Sequence, residues 1–219
     1  MQMEKKTVWI TGADRGVGFS LCEEFLRGGW RVFAGRFMPE WTALDTLKEK
    51  YPEALEILPL DVGSDDSVRA AAKATAARCG HVDLLVSCAG ISGGDDPEKT
   101  RAIYNVNVAG ALRMVEAFLP LMQTGMKRLA FVSSEAGSVS VAHRDSGFAY
   151  TTSKTALNML VRRMFRTLYP MGYTFRLYHP GWVRSYMSGK KSTVGNFEPE
   201  ETAAVAYRQF TTDREAEDV

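Results

Sequence analysis

The chain has 219 residues, of which 45% are hydrophobic and 24% charged, and its formal net charge is +1. That length and balance fit a single globular domain with a sizeable core. The near-neutral charge gives no support for binding to nucleic acid or to an acidic membrane surface. No apolar run approaches the roughly 20 residues of a membrane span. We therefore predict one domain over residues 1–219, with no nucleic-acid partner and no membrane partner.

The cysteines and histidines also exclude a class of site. Cys22, Cys79 and Cys88 are odd in number and show neither a CxxC motif nor metal-ligand spacing. The three histidines are equally scattered along the chain. We expect reduced thiols, a cytoplasmic location and no metal site.

The first elements predicted are a strand, a glycine-rich turn and a helix. A β-branched apolar run over 7–11 predicts a buried strand, and a helical pattern follows the turn and ends at Gly28. Glycines let the backbone approach a diphosphate, and the N–H groups of a helix N-terminus face its negative charge. The spacing is GxxxGxG, not the commoner GxGxxG, and such glycines also occur in turns that bind nothing. The candidate cofactor contacts in this turn are Gly12, Asp14, Arg15, Gly16, Val17 and Gly18.

The second strand, over 31–35, is followed directly by Arg36. In dinucleotide-binding folds an acidic residue at this point binds the ribose 2′-hydroxyl, whereas an arginine accommodates a 2′-phosphate. No acid occurs between Arg31 and Met38, so Arg36 and Arg15 favour NADP(H) over NAD(H). The alternative is that both arginines are solvated surface charges.

Strands and helices then alternate along the chain, which predicts an α/β fold with a doubly wound parallel, Rossmann-like sheet. Ligands of such sheets lie beyond the carboxyl ends of the strands, which places Asp61, Val62, Ala89 and Gly90 beside the glycine turn. No apolar strand follows the last predicted helix, so we expect six strands with a missing or degenerate seventh. Segment 184–197 is predicted to be a substrate flap, and 211–219 a frayed tail. The other predicted strands are 54–60, 82–86, 129–132 and 173–178, and the other helices are 41–51, 64–78, 97–121, 149–168 and 198–210.

Tyr150 and Lys154 lie four residues apart in the predicted helix 149–168, so both side chains share one face. An ammonium beside a phenol is expected to lower the pKa of the tyrosine and to let it exchange a proton near neutral pH. Ser134, at the end of the fifth strand, would hold a substrate oxygen beside that phenol, and Ser133 is the competing candidate. The alternative for Tyr150 is an ordinary half-buried helical tyrosine.

Taken together and in this order, the motifs resemble those of the short-chain dehydrogenase/reductase family over about residues 7–185. They are TGxxxGxG, Asp-Val after strand three, Ala-Gly after strand four, an Asn in the long helix, Ser before Ala-Gly, YxxxK and Pro-Gly after strand six. The resemblance implies a tetrad in which Tyr150 is the acid/base, Ser134 orients the substrate and Lys154 binds the nicotinamide ribose. Asn107 would hold a water that feeds a proton relay through Lys154. The implied nicotinamide contacts are Pro180, Gly181, Val183 and Ser185, where Ser185 replaces the usual Thr.

The resemblance implies an NADP(H)-dependent oxidoreductase that moves hydride between the nicotinamide and a small carbonyl or alcohol substrate. Two departures keep open an alternative, a catalytically silent NADP(H)-binding regulator or sensor on the same fold. Ser87-Cys88 stands where the family usually has Asn-Asn, and the seventh strand is absent. That absence makes the family's usual tetramer doubtful, whereas a homodimer through helices 97–121 and 149–168 is still compatible with the sequence.

Overall fold

The structure, a computed structural model, describes residues 5–187, 189–214 and 217. Six parallel strands form one sheet in the order β3-β2-β1-β4-β5-β6. The order reverses between β1 and β4, which is where ligands bind in open sheets of this kind. The predicted fold class is therefore confirmed. The strands are β1 (Thr7–Ile10), β2 (Arg31–Arg36), β3 (Leu55–Pro59), β4 (Leu84–Ser87), β5 (Arg128–Val132) and β6 (Thr174–Tyr178).

In two of the helices a side chain caps the first turn. The Ser64 side chain accepts from the N–H of Ser67, and Asp96 accepts from two N–H groups just ahead of a proline-started helix. In the part of the chain described, no helix is long and apolar enough to cross a membrane. The helices are α1 (Gly16–Arg27), α2 (Ala43–Lys50), α3 (Asp65–Ala76), α4 (Pro97–Tyr104), α5 (Ala111–Phe118), α6 (Phe148–Leu168) and α7 (Pro199–Thr211).

The prediction of one long helix over 97–121 is wrong in detail. A π-helical turn, Asn105–Gly110, separates α4 from α5, and a 3-10 turn, Leu119–Leu121, follows α5. Part of the cause is local, because Asn107 and Gly110 weaken α-helical propensity at this point. The Asn107 amide also bonds to the backbone of Ile91, outside the helix. The chain therefore changes helix type at this point.

Alternate strand residues face two separate cores. On one face of the sheet, Trp9, Phe33 and Phe131 are buried against α3, α5 and α6. On the other face, Ile10 and Ala34 pack in a second cluster with residues of α1 and α7. Helices on both faces explain why the strands read as almost unbroken apolar runs.

β6 is an edge strand, and α7 is followed by no further strand in the described ranges. Two fully buried arginines of β5 and β6 reach the chain after α7. Arg128 bonds to Asp213 at 2.6 Å, and Arg176 bonds to Glu217 at 2.5 Å and to the Thr212 carbonyl at 2.8 Å. Of the tail predicted to be frayed, residues 215, 216, 218 and 219 lie outside the described residues.

Candidate active site

The glycine turn after β1 packs tightly against the end of β4. Gly12 and Gly16 have φ values of +64° and +60°, a backbone region that favours glycine. A Cβ on Gly12 would lie 2.8 Å from the Ala89 Cα, and one on Gly18 would lie 2.1 Å from the Gly12 carbonyl oxygen. Only glycine therefore fits at positions 12 and 18.

Two further features complete the turn. The Thr11 hydroxyl accepts from the N–H groups of Cys88 at 3.0 Å and Ala89 at 2.9 Å, which joins β1 to β4. Sequence analysis missed this role of Thr11, although its position before Gly12 is the signal. Helix α1 begins at Gly16 without a side-chain cap, so the N–H groups of its first turn are available to an anion.

A cleft of about 1100 Å³ runs along the carboxyl edge of the sheet from this turn to α6. It brings together most of the residues predicted for the site. Gly16, Arg36 and Asn107 do not line it, and their surroundings are described below. The predicted residues that line the cleft are Gly12, Asp14, Arg15, Val17, Gly18, Asp61, Val62, Ala89, Gly90, Ser134, Tyr150, Lys154, Pro180, Gly181, Val183 and Ser185.

Two acids that the sequence analysis did not connect with the end of β2 reach it in the structure. Asp45 of α2 forms an ion pair with Arg36 at 2.7 Å. The Asp14 carboxylate accepts from the N–H groups of Phe37 and Met38 at 2.9–3.2 Å. Although no acid occurs between Arg31 and Met38 in the sequence, two acids from other parts of the chain therefore lie at the end of β2.

Arg15 lies beside two aromatic rings that contact each other. Its guanidinium is 4.8 Å from the centre of the Trp41 ring and 6.0 Å from that of Tyr186, and the two rings themselves pack at 5.0 Å.

Gly16 lies close to the segment that follows β6. A Cβ on Gly16 would lie 2.7 Å from the Ser185 hydroxyl oxygen. Segment 184–197, predicted as a substrate flap, thus touches the glycine turn as well.

Tyr150, Lys154 and Ser134 meet at the other end of the cleft. The first two side chains extend from one face of α6, and the Lys154 Nζ lies 5.8 Å from the centre of the Tyr150 ring. Ser134 lies close enough to the Tyr150 hydroxyl to lower the pKa of the phenol by hydrogen bonding. The competing candidate, Ser133, instead donates its proton to the Asn158 side chain of α6 at 2.6 Å. That proton is therefore not available to a substrate oxygen.

The prediction that Lys154 lowers the pKa of Tyr150 is wrong. Burial raises the pKa of Tyr150 above its ordinary value, although the hydrogen bond with Ser134 opposes that rise. Burial also lowers the pKa of Lys154 to about 8, against a smaller opposing effect of Cys88. The Lys154 Nζ donates to the Val132 carbonyl at 3.0 Å, so its nearest partner is backbone.

The Asn107 side chain is satisfied within the protein. Its amide exchanges two hydrogen bonds with the Ile91 backbone, at 2.8 and 2.9 Å, and donates to the Ser153 hydroxyl at 3.0 Å. A Cβ on Gly90 would lie 3.5 Å from the Asn107 Oδ1 and 3.6 Å from the Lys154 Nζ. Asn107 therefore fixes the loop after β4 beside Lys154 without entering the cleft.

A charged group beside Ser134 escaped the sequence analysis. Glu135 bonds to Ser134 at 2.8 Å and to the Arg144 guanidinium, and its carboxylate lies 3.5 Å from the His179 ring. These residues come from three separate loops. No motif spacing marks them, because only the fold brings the loops together.

Comparison with known proteins places the chain in a family. The model of the short chain dehydrogenase family matches residues 6–194. The chain is 40% identical over 122 residues to C-signal of Myxococcus xanthus, a match covering 52% of this chain and 74% of that protein. It is 33% identical over 198 residues to an uncharacterized oxidoreductase of Schizosaccharomyces pombe, covering 86% of this chain and 78% of that one.

A solved structure shows the same likeness. The NADPH-bound carbonyl reductase from chicken fatty liver superposes with a TM-score of 0.84 and 26% identity, over 96% of this chain and 93% of that one. The fold agrees with this match. The chain belongs to the short-chain dehydrogenase/reductase family, a family of Rossmann-fold NAD(P) oxidoreductases.

Proposed function

We propose that this protein is an NADP(H)-dependent oxidoreductase that transfers hydride between the nicotinamide and the carbon of a small carbonyl or alcohol substrate. One observation carries the proposal. Tyr150, Ser134 and the glycine turn line the same cleft. A proton donor and a site for a hydride carrier therefore face one space.

The residues present fit a dinucleotide. The glycines at 12 and 18 leave no room for side chains against the turn, and the first turn of α1 has no side-chain cap. The cleft, about 1100 Å³, has room for a dinucleotide and a small substrate. Asp61 and Val62 line the cleft beyond β3, and Pro180, Gly181, Val183 and Ser185 line it beyond β6. When bound, the cofactor supplies the hydride chemistry.

Tyr150 is proposed as the acid/base. Its raised pKa keeps the phenol protonated at neutral pH, the form that donates a proton to a carbonyl oxygen during reduction. Ser134 holds that oxygen beside the phenol. Lys154 bears a positive charge next to Tyr150 and is assigned to the nicotinamide ribose. Asn107 is proposed to hold a water that feeds the relay through Lys154. Because its side-chain amide is already bonded to Ile91 and Ser153, that water has to be held by another group of the residue.

The preference for NADP(H) rests on Arg15 and Arg36, and the NADPH-bound state of the chicken liver reductase supports it. Arg36 is already paired with Asp45, so a 2′-phosphate would compete with that carboxylate. We expect Arg36→Ala to lose NADP preference in binding and turnover. Equal or better use of NAD by the unaltered protein would contradict the proposal.

The decisive experiment follows NADPH consumption with a panel of aldehydes, ketones and quinones. Tyr150→Phe should still bind NADPH but should turn over roughly 10²–10⁴-fold more slowly, the usual contribution of a positioned acid. Tyr169→Phe, a half-exposed tyrosine beyond the end of α6, is the matched control and should retain activity. Normal turnover by Tyr150→Phe would remove it as the acid.

The alternative proposal is a nucleotide-binding regulator that turns nothing over. The Ser87-Cys88 replacement beside the cleft favours it, whereas the assembled Ser134, Tyr150 and Lys154 favour the enzyme. NADPH binding without consumption across the whole panel would select the regulator.

We also propose that the protein forms a homodimer through the helical segment 97–121 and helix 149–168. The exposed Met159 on α6 supports this proposal. Sedimentation of the purified protein tests it.

A further inference from the structure

The Ser134 hydroxyl is already engaged by the next residue in the chain. Its oxygen accepts from the Ala136 N–H at 3.1 Å, and its single proton is donated to the Glu135 carboxylate at 2.8 Å. A hydroxyl has one proton to donate and two lone pairs that can accept. While Glu135 holds that proton, the Ser134 oxygen can only accept from Tyr150.

Glu135 is itself fixed in this position. The Arg144 guanidinium bonds to its Oε1, and the His179 Nδ1 lies 3.2 Å from its backbone nitrogen and 3.5 Å from its Oε2. Burial alone would raise the pKa of Glu135, but the hydrogen bonds from Ser134 and Arg144 outweigh it and leave that pKa below its ordinary value. The group beside Ser134 is therefore a carboxylate at neutral pH.

We propose that Glu135 is a positioning residue that withholds the Ser134 proton from Tyr150 and so keeps the phenol in its proton-donating form until substrate arrives. A phenolate at Tyr150 would need a donated hydrogen bond from Ser134, and the carboxylate competes for that proton. Its negative charge also opposes a second negative charge on Tyr150. An incoming carbonyl oxygen then receives the Ser134 hydrogen bond in place of Glu135. The inference rests on the proposed function only in taking Tyr150 as the acid.

Arg144 acts in the opposite sense. It balances the charge of Glu135 and lowers the pKa of Tyr150, whereas Glu135 raises it. The other charged or titratable groups around the pair are Lys154 on α6, His179 after β6, and His143 and Asp145 on the loop that carries Arg144. None of these groups is altered in Glu135→Gln or Arg144→Met, so their effects on Tyr150 are the same in both variants and in the unaltered protein.

The test needs no substrate. Protein labelled with ¹³Cζ-tyrosine is titrated upward from neutral pH, with and without NADP⁺, and Tyr150→Phe identifies the Tyr150 resonance. Glu135→Gln should lower the Tyr150 midpoint by roughly one pH unit, because it removes a like charge and replaces the carboxylate acceptor of the Ser134 proton with a weaker, neutral amide oxygen. Arg144→Met should raise that midpoint. Glu49→Gln, an exposed acid on α2, is the matched control.

Opposite shifts in the two variants support the proposal, because a merely structural contact would disturb Tyr150 in the same direction in both. A Tyr150 midpoint in Glu135→Gln equal to that in Glu49→Gln, or a shift of both variants in one direction, would overturn it. The outcome is separate from the proposed function. If the unaltered protein consumes no NADPH with any carbonyl of the panel, the enzymatic proposal fails, while the titration still decides the role of Glu135.

Discussion

Replacing Gly18 by alanine tests where the dinucleotide lies. The new Cβ would fall 2.1 Å from the Gly12 carbonyl oxygen, whereas ordinary contact begins at 3.4 Å, so the turn must move by 3.4 − 2.1 = 1.3 Å. Such a shift would break a hydrogen bond to a bound diphosphate, worth about 1.5–3 kcal/mol. We therefore expect the Kd for NADPH to rise about 10- to 100-fold. Overpacking should also cost about 1–3 kcal/mol of unfolding free energy.

Gly80→Ala is the matched control, because a Cβ there meets nothing within 4 Å. The assay is the fluorescence of bound NADPH, titrated for both variants and the unaltered protein, with urea unfolding alongside. Equal NADPH affinity of Gly18→Ala and Gly80→Ala would refute the reasoning. A loss of stability without a loss of affinity would also refute it, since the cofactor would then not contact the turn.

Two further predictions concern buried charges. Burial lowers the pKa of Lys154 to about 8 from 10.5, so between these pH values the unfolded chain binds one more proton than the folded chain. Stability relative to Lys154→Met should therefore rise with pH across this window, by up to about 3 kcal/mol, whereas the exposed control Lys50→Met should show no such slope. If the difference in urea midpoint between the unaltered protein and Lys154→Met does not change with pH, the prediction is contradicted. Glu217→Ala leaves the buried Arg176 without its carboxylate and should cost about 2 kcal/mol in thermal or urea unfolding. The loss should exceed that of the exposed control Glu53→Ala, and an equal loss would mean that the pair contributes nothing.

The fold was predictable because its signals are local. Apolar strands, glycine stops and helical periodicity each depend on neighbouring residues, and they give six parallel strands once the alternation is counted. The placement of Gly12 and Ser134 on one edge follows from the rule for strand ends, whereas Tyr150 reaches that edge from the first turn of α6. The π-helical turn was not predictable in type, because Asn107 is held by Ile91 across a loop.

The remaining features depend on contacts that leave no pattern in the sequence. Arg36 meets Asp45 only because α2 folds back on β2, and Glu135 meets Arg144 only because two loops approach each other. The pKa of Tyr150 differs from the prediction for a related reason. The four-residue spacing to Lys154 was read correctly, but the depth of burial, which dominates the pKa of Tyr150, depends on the whole fold.

The π-helical turn Asn105–Gly110 makes the number of residues at this point matter as much as their identity. Such a turn carries one residue more than an α-helical turn. Deleting one residue within it would allow a continuous α-helix from Pro97 to Phe118 with the faces of α4 and α5 still in phase, but the side chains inside the turn would point in new directions. The apolar face of α5 would stay in the core, while the amide that anchors Ile91 would swing away from it. A change in length that leaves every motif residue in place would thus loosen the loop beside Lys154.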